Sequence, residues 1–343
     1  MHRREMGQTA ETITRHEASG GVRIYRLPIR VFPTMTANVY VVIAGDYAAL
    51  VDTGSGLGDS DADLRTAFAA LRSDWNERLT WTDLRRVIIT HAHIDHYGGL
   101  TALRSLTDAP IAVHELDRRV LTHHEERFVL ARRALAAFLR RAGVSSAKQT
   151  VLLHLYGWSK NLFRSVDVAT TFREGDVIDD LFRVYHAPGH CPGQVCLQIG
   201  DVLLSADHVL PQTSIFLPPE SITLSTGLDH YLRALRLIDA LPDIRLALGG
   251  HGAPMDHVHD WIVRIIDAQE QRLDQVRALC REPRTIAELT AALYPGVNGY
   301  EELLALQKAG AYVEYLDMRG ELTIANLSDV DLDEGVAPRY WRG

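Results

Sequence analysis

Three histidines and one aspartate fall within six consecutive residues, from His91 to His96, in the run Thr-His-Ala-His-Ile-Asp-His-Tyr-Gly-Gly that begins at Thr90. The cluster that starts at His91 follows a β-branched stretch, residues 87–90, which is typical of a buried strand. Buried polar groups need partners, and a metal ion gives imidazole and carboxylate groups a partner at once. Zinc and similar borderline metals accept this mixture of ligands. The sequence therefore predicts a metal site at the end of this strand.

The spacing inside the run favours two metals. His91 and His93 are two residues apart, so their side chains lie on the same side of an extended chain. Asp95 and His96 follow one turn later, where a Gly-Gly pair at 98–99 allows the backbone to double back. We expect these two pairs to bind adjacent metals rather than one.

Three further candidate ligands each follow an apolar run that predicts a strand: His190 after 182–185, Asp207 after 202–204 and His251 after 244–248. Loop-borne sites collect at strand ends in layered α/β folds. We assign one metal to His91, His93 and His190. The other metal is assigned to Asp95, His96 and His251. Asp207 is assigned as the bridge between the two metals.

This pattern resembles the metallo-β-lactamase superfamily, in its glyoxalase II-like and lactonase-like branch with the full His-x-His-x-Asp-His set. The resemblance extends to Val-Asp-Thr-Gly at 51–54, after the apolar run 48–51, and covers roughly residues 20 to 255. It implies an α/β fold, the αββα sandwich, in which two mixed sheets pack face to face with helices outside. It also implies that Asp52 supports the site from behind, because ligating imidazoles need a partner on their other nitrogen.

The cofactors that we expect are two divalent metal ions, most favourably Zn²⁺, with iron or manganese as alternatives. Such a pair would hold a bridging hydroxide that attacks a carbonyl or phosphoryl centre of a small-molecule substrate. We assign catalytic roles to Asp207, as the bridge, and to Asp95, which is placed to hold or pass a proton. An ester, thioester or lactone ranks first as the bond cleaved.

Three other functions stay open as alternatives. A phosphodiesterase or ribonuclease of the same fold ranks second. Persulfide dioxygenases are similar in scaffold but use one iron, which here would be held by His91, His190 and Asp207. A non-catalytic metal-binding protein ranks last, because structural zinc sites are usually closed tetrahedra.

Two segments are predicted to select the substrate. Apolar residues recur at helical spacing from 115 to 166, which predicts a helical insertion that could cover the metal edge; a surface hairpin away from the site is the alternative. The segment Leu210–Thr226 follows the predicted bridging ligand and borders the pocket. We expect Phe216 and Trp158 to line this pocket.

The C-terminal region has its own pattern. Helices are predicted at 261–279, 286–293 (with Thr285 as the cap) and 300–308, followed by strands at 311–316 and 322–325. This order resembles the C-terminal winged-helix extension of some metallo-β-lactamase-like hydrolases. We therefore divide the chain into a flexible tail (1–20), a catalytic domain (21–258) and a winged-helix-like domain (259–343).

Charge argues against nucleic acid as a partner. The formal net charge is −8, and residues 260–343 hold fifteen acidic and nine basic side chains, a balance of −6. Phosphate contacts need clustered basic residues. A packing role or a homodimer contact is the better prediction for this region.

Composition bears on location. The three cysteines, Cys191, Cys196 and Cys280, form no Cys-x-x-Cys pattern and suggest no disulfide framework, which fits a reducing compartment. No run approaches the ~20 apolar residues of a membrane helix. We expect a cytoplasmic protein without a membrane partner.

Overall fold

The computed structural model describes residues 12–160, 163–212 and 214–343, with the backbone alone for residues 158–160. Two β-sheets dominate the first two thirds of the chain. The first has seven strands in sequence order: β1 (Thr14–Ala18), β2 (Val22–Phe32), β3 (Met35–Ala44), β4 (Tyr47–Val51), β5 (Arg86–Ile89), β6 (Ile111–His114) and β7 (Thr170–Phe172). It is antiparallel from β1 to β4 and parallel from β4 to β7.

The second sheet has six strands in the order β13-β12-β11-β10-β9-β8: β8 (Val177–Ile178), β9 (Phe182–His186), β10 (Val195–Ile199), β11 (Val202–Ala206), β12 (Leu246–Gly249) and β13 (Met255–Asp256). In this sheet β11 and β12 are parallel and the other pairs are antiparallel. The predicted strands that precede the candidate ligands are all present.

The α-helices of the described residues are α1 (Ser60–Ser73), α2 (Ile94–Tyr97), α3 (Leu100–Leu103), α4 (Arg118–Thr122), α5 (His124–Arg141), α6 (Ser146–Lys160), α7 (Leu228–Asp239), α8 (Val258–Leu279), α9 (Ile286–Leu293), α10 (Gly299–Asp317) and α11 (Leu327–Leu332). Helices pack on the outer faces of the sheets, α1 on the first and α7 on the second. Because side chains alternate along a strand, Ile88 of β5 joins the core between the sheets, with Leu197 and Leu204. Its neighbours Val87 and Ile89 join the core beneath α1. The αββα prediction is confirmed.

The predicted insertion is helical, as expected, and consists of α4, α5 and α6. Its buried residues Phe138 and Leu152 belong to the same core cluster as Leu306 of α10, Tyr231 of α7 and Leu203 of the second sheet. The insertion and the C-terminal helices therefore share one hydrophobic core with the catalytic half of the chain. The predicted boundary near residue 258 does not separate two cores.

One C-terminal prediction is wrong. Residues 311–316, predicted as a strand, continue α10 to Asp317. A short apolar run is ambiguous between strand and helix, and here helical packing decides, since Ala311, Val313 and Leu316 are all buried in the helical core. A two-stranded antiparallel sheet does follow, between β14 (Thr323–Ile324) and β15 (Tyr340–Trp341). The winged-helix assignment stays a prediction.

The predicted helices at 261–279 and 286–293 are confirmed, and Thr285 caps the second in a capping box with Glu288. The predicted flexible tail, residues 1–20, overlaps strand β1, because Thr14–Ala18 pair with β2. Residues 1–11 lie outside the described residues. Within the described part of the chain, no helix combines the length and apolar character needed to cross a membrane.

Candidate metal centre

The candidate ligands meet at one edge of the sandwich. His91 and His93 lie in the loop after β5, and short helix α2 carries Asp95 and His96. The other three follow β9, β11 and β12. Since β11 and β12 run in parallel, Asp207 and His251 emerge at the same end of the second sheet.

All seven predicted ligands come together in three overlapping groups. His91, His93 and His190 form one group, His91, His96 and Asp207 a second, and Asp95, His96 and His251 a third, with the ligand atoms of each group lying within 4.8 Å of one another.

Asp207 lies between the two predicted ligand sets. Its Oδ2 is 3.5 Å from His190 Nε2 and 3.3 Å from His251 Nε2. Its Oδ1 lies 3.5 Å from His96 Nε2. This carboxylate therefore faces imidazoles of both predicted ligand sets.

The outer nitrogens of the imidazoles are held by oxygen atoms. His96 Nδ1 lies 2.8 Å from Asp52 Oδ2, His190 Nδ1 lies 2.7 Å from the Phe216 carbonyl, and His251 Nδ1 lies 2.7 Å from the Thr36 carbonyl. With Nδ1 donating to oxygen, the Nε2 lone pair of each ring faces the centre, as metal ligation requires. The structure thus places Asp52 behind a candidate ligand, as the resemblance implied.

Three atoms at the centre need a further partner. Among the described residues, the buried atoms His91 Nε2, His96 Nε2 and Asp207 Oδ1 have no hydrogen-bond partner. Buried polar atoms without partners are costly. A divalent cation among them would satisfy all three, so the donor set fits a metal centre.

Electrostatics point the same way. Burial disfavours the charged form of His96, but the carboxylates of Asp207, Asp95 and Asp52 outweigh burial and raise its pKa to about 10. The pKa of the Asp207 carboxyl lies well below its usual range, because His251 and His96 together outweigh the effect of burial. The cluster therefore holds anionic carboxylates that need positive charge, which either protons or a metal can supply.

Asp117 is a supporting residue that sequence reasoning missed. Its buried carboxylate accepts hydrogen bonds from the Ala92 backbone N–H (2.8 Å) and the Gly193 backbone N–H (2.9 Å), and the Cys191 thiol lies 3.3 Å away. It thereby ties the loop between His91 and His93 to the loop after His190. In the sequence, its position just before α4 suggests only a helix cap. The residues that it binds are distant along the chain, so no local sequence pattern indicates this supporting role.

Close packing affects two further features beside the cluster, the Cys191 thiol and the Gly98-Gly99 pair. Cys191 is buried, and burial together with Asp117 raises the pKa of its thiol well above the usual value, so the residue packs as a neutral thiol. The pair Gly98-Gly99 was expected to reverse the chain, yet Gly98 and Gly99 adopt ordinary right-handed φ values of −61° and −71°. A glycine is needed here for its small size, because a Cβ added at Gly98 would lie 2.1 Å from the carbonyl oxygen of Ser55.

Phe216 borders the centre, where it was predicted. Its ring centroid lies 6.0 Å from that of His190 and 6.4 Å from that of His93, and the residue is half-buried. The other predicted pocket residue, Trp158, has a side chain outside the described part of the structure. At the far end of the insertion, Phe163 packs on Tyr97 of α2, with ring centroids 6.2 Å apart.

Fold and site together define a class of protein. Residues 33–251 match the metallo-beta-lactamase superfamily, and the chain belongs to this family.

Individual relatives narrow the comparison. The chain is similar to "Probable metallo-hydrolase YqjP" of Bacillus subtilis, with 25% identity over 306 residues, 85% of this chain and 91% of the relative. It is 30% identical over 211 residues to the human "Acyl-coenzyme A thioesterase MBLAC2", which covers 59% of this chain and 68% of the relative.

Solved structures extend the likeness in fold to nearly the whole chain. A metallo-beta-lactamase family protein from Thermus thermophilus superposes with a TM-score of 0.75 at 24% identity, covering 93% of this chain and 98% of that one. A beta-lactamase domain protein from Burkholderia ambifaria gives 0.73 at 22% identity, covering 97% and 96%. The C-terminal helices are thus part of a fold that other proteins share.

Proposed function

We propose that this chain is a metal-dependent hydrolase of acyl bonds, with a thioester, ester or lactone as substrate. The observation that carries the proposal is the cluster of seven donors around three partnerless buried atoms, His91 Nε2, His96 Nε2 and Asp207 Oδ1. The thioesterase relative at 30% identity supports the thioester in particular. The surrounding wall is apolar at Phe216, which suits an acyl chain.

The proposed cofactor is a pair of divalent ions, with Zn²⁺ first and iron or manganese as alternatives. His91, His93 and His190 would hold one ion and Asp95, His96 and His251 the other, with Asp207 shared. When bound, such ions supply Lewis acidity toward a carbonyl oxygen and lower the pKa of a coordinated water to roughly 7.

The chain's own residues would orient and protect this site. Asp52 and the Phe216 carbonyl fix the ring orientations of His96 and His190. Asp95 is half-buried, with Oδ2 3.3 Å from His251 Nε2, and is placed to hold a proton released from water. The Phe216 ring would pack against the acyl chain, and helices α5 and α6 would close the pocket from the side of α2.

Elemental analysis and paired assays test the proposal. We expect two divalent ions per chain and hydrolysis of acyl thioesters, esters or lactones. Asp207→Asn keeps the side-chain volume but removes the charge, and it should lose bound metal and at least about a hundredfold of activity. Asp201→Asn, at a surface turn where the carboxylate bonds Ser19 and Arg245, is the matched control and should retain both.

Two results would contradict the proposal. One iron per chain together with oxygen uptake on a persulfide would favour the dioxygenase alternative. Full metal content in Asp207→Asn would remove Asp207 from the bridging position.

A further inference from the structure

Lys308 is a buried lysine in a protein that has few lysines. The chain contains three lysines and thirty-three arginines, and only 8% of the surface of Lys308 is exposed. It lies on α10, surrounded by buried helical residues. A lysine is seldom fully buried without a partner of opposite charge.

Among the residues that the structure describes, no carboxylate forms an ion pair with Lys308. Its Nζ donates to the Ser214 hydroxyl at 2.7 Å, which occupies one of the three ammonium donors. Burial, reinforced by the positive charge of Arg272, lowers the pKa of Lys308 to about 8. At neutral pH the group therefore still carries its charge.

The loop that receives this hydrogen bond reaches the candidate metal centre. Two peptide units separate Ser214 from Phe216, so their Cα atoms are at most about 7.6 Å apart. The Phe216 carbonyl accepts from His190 Nδ1, and its ring faces His93 and His190. Lys308 is thus hydrogen-bonded to the same loop that carries Phe216 to the candidate metal centre.

We propose that Lys308 binds an anionic group of the substrate, a carboxylate or a phosphate, at a distance from the bond that is cleaved. The inference rests on the proposed acyl hydrolysis and narrows its substrate class. A compact ammonium with two donors left over is suited to anionic oxygen. The rival role, in which Lys308 only anchors the loop through Ser214, makes different predictions.

Four thioester substrates distinguish the two anionic groups that Lys308 could bind, a carboxylate on the acyl group and the phosphates of coenzyme A. Pentanoyl and glutaryl groups have the same chain length and differ in a terminal carboxylate. Each is offered on coenzyme A, which carries phosphates, and on N-acetylcysteamine, which does not. In the wild type, kcat/KM should favour the anionic member of at least one pair. Lys308→Met should reduce that preference about tenfold or more, mainly through KM, in line with a lost hydrogen bond to a charged group.

The pair that loses its preference identifies the source. A fall in the glutaryl-to-pentanoyl ratio points to a carboxylate on the acyl group, and a fall in the coenzyme A-to-cysteamine ratio points to phosphate. Ser214→Ala, which removes the one bond but keeps the ammonium, should retain the preference. Equal losses on all four substrates in both variants would assign Lys308 to loop anchoring and overturn the inference.

Binding measured by calorimetry tests the anion site at Lys308 separately from the proposed hydrolysis. Glutarate and coenzyme A are titrated into wild type and Lys308→Met, whatever the hydrolysis assays give. If no thioester is cleaved, the proposed function fails; weaker binding of either probe to Lys308→Met would still support Lys308 as an anion site. Equal binding to both proteins, or none to the wild type, overturns the inference.

Discussion

At the scale of single residues, the site depends on side chains that would not touch a metal. Asp52 Oδ1 accepts from the Thr90 backbone N–H at 2.8 Å, and its Oδ2 lies 2.8 Å from both the Thr90 hydroxyl and His96 Nδ1. The residue adopts a left-handed φ of 63°, which costs free energy and persists only where the surroundings enforce it. Asp52 therefore fixes the position and the ring orientation of His96 through its Nδ1 atom.

Asp52→Asn should weaken metal binding by about 10- to 100-fold, the usual effect of losing a partner of a ligating histidine. The amide cannot accept all three hydrogen bonds as well as the carboxylate does. Competition with a chromogenic chelator measures the change in affinity.

Asp201→Asn serves again as the control, and it should bind metal like the wild type. Unchanged affinity in Asp52→Asn would assign Asp52 to capping the turn that follows it.

His114 is expected to make the free energy of unfolding depend on pH. His114 is buried, and burial, followed by the charges of His186 and Arg173, lowers its pKa to about 4, while Asp176 acts in the opposite direction. Between pH 6.5 and 4 the unfolded chain binds a proton that the folded chain refuses. The contribution of neutral, buried His114 to the free energy of unfolding is therefore fully present above pH 6.5 and is lost as the pH falls through 4. The loss is at most about 3 kcal/mol.

His114→Gln should flatten this acid decline in the free energy of unfolding, measured on metal-loaded protein by urea titration at several pH values. His154→Gln replaces an exposed histidine on α6 and should leave the slope unchanged. Should His114→Gln be too unstable, His114→Phe tests the same point. Identical slopes in all variants would show that His114 does not govern the acid response.

At the scale of elements, α10 crosses the insertion at a glycine. A Cβ at Gly310 would lie 2.6 Å from Phe138 Cε2 and 2.8 Å from Cζ, so α5 and α10 can approach closely only without a side chain there. This contact joins the insertion to the C-terminal helices. It also accounts for the presence of a glycine inside a 19-residue helix.

Gly310→Ala should lower the midpoint of thermal unfolding, because overpacking costs about 1–3 kcal/mol and exceeds the gain of about 1 kcal/mol in helix propensity. Gly157→Ala on α6 is the matched control. There the new Cβ would meet Phe128 Cζ at an ordinary 3.7 Å, and the midpoint should stay or rise. A rise in both variants would show that the α5–α10 crossing adapts freely.

At the scale of the whole molecule, the shared core suggests what the C-terminal region does. Tyr312 of α10 donates to Gln269 of α8 within the protein, and Leu306 and Leu316 belong to the cluster that includes Tyr231 and Phe138. These helices are packed against the catalytic half rather than presented as a separate module. Packing is thus their first role, and a homodimer contact stays a prediction.

The excess of acidic side chains in residues 260–343 predicts that the protein does not bind nucleic acid tightly. Gel-shift measurements with single- and double-stranded RNA and DNA, at low and moderate salt, should show little binding, since too few basic side chains are available to displace counterions. Tight binding that weakens steeply with salt would reverse the prediction and raise the ribonuclease alternative.

The sequence by itself was enough to select the seven candidate ligands, because they leave local signals: apolar runs of strand length, each followed by a histidine or an aspartate, and the dense run from His91 to His96. The sandwich was implied by the resemblance of this pattern to a known family. The contacts of Asp117 and Lys308 were decided by tertiary structure, since their hydrogen-bond partners lie far away in sequence. Residues 311–316 were decided the same way. Their pattern suits a strand or a helix equally, and only the packing of α10 against helices on several sides selects the helix.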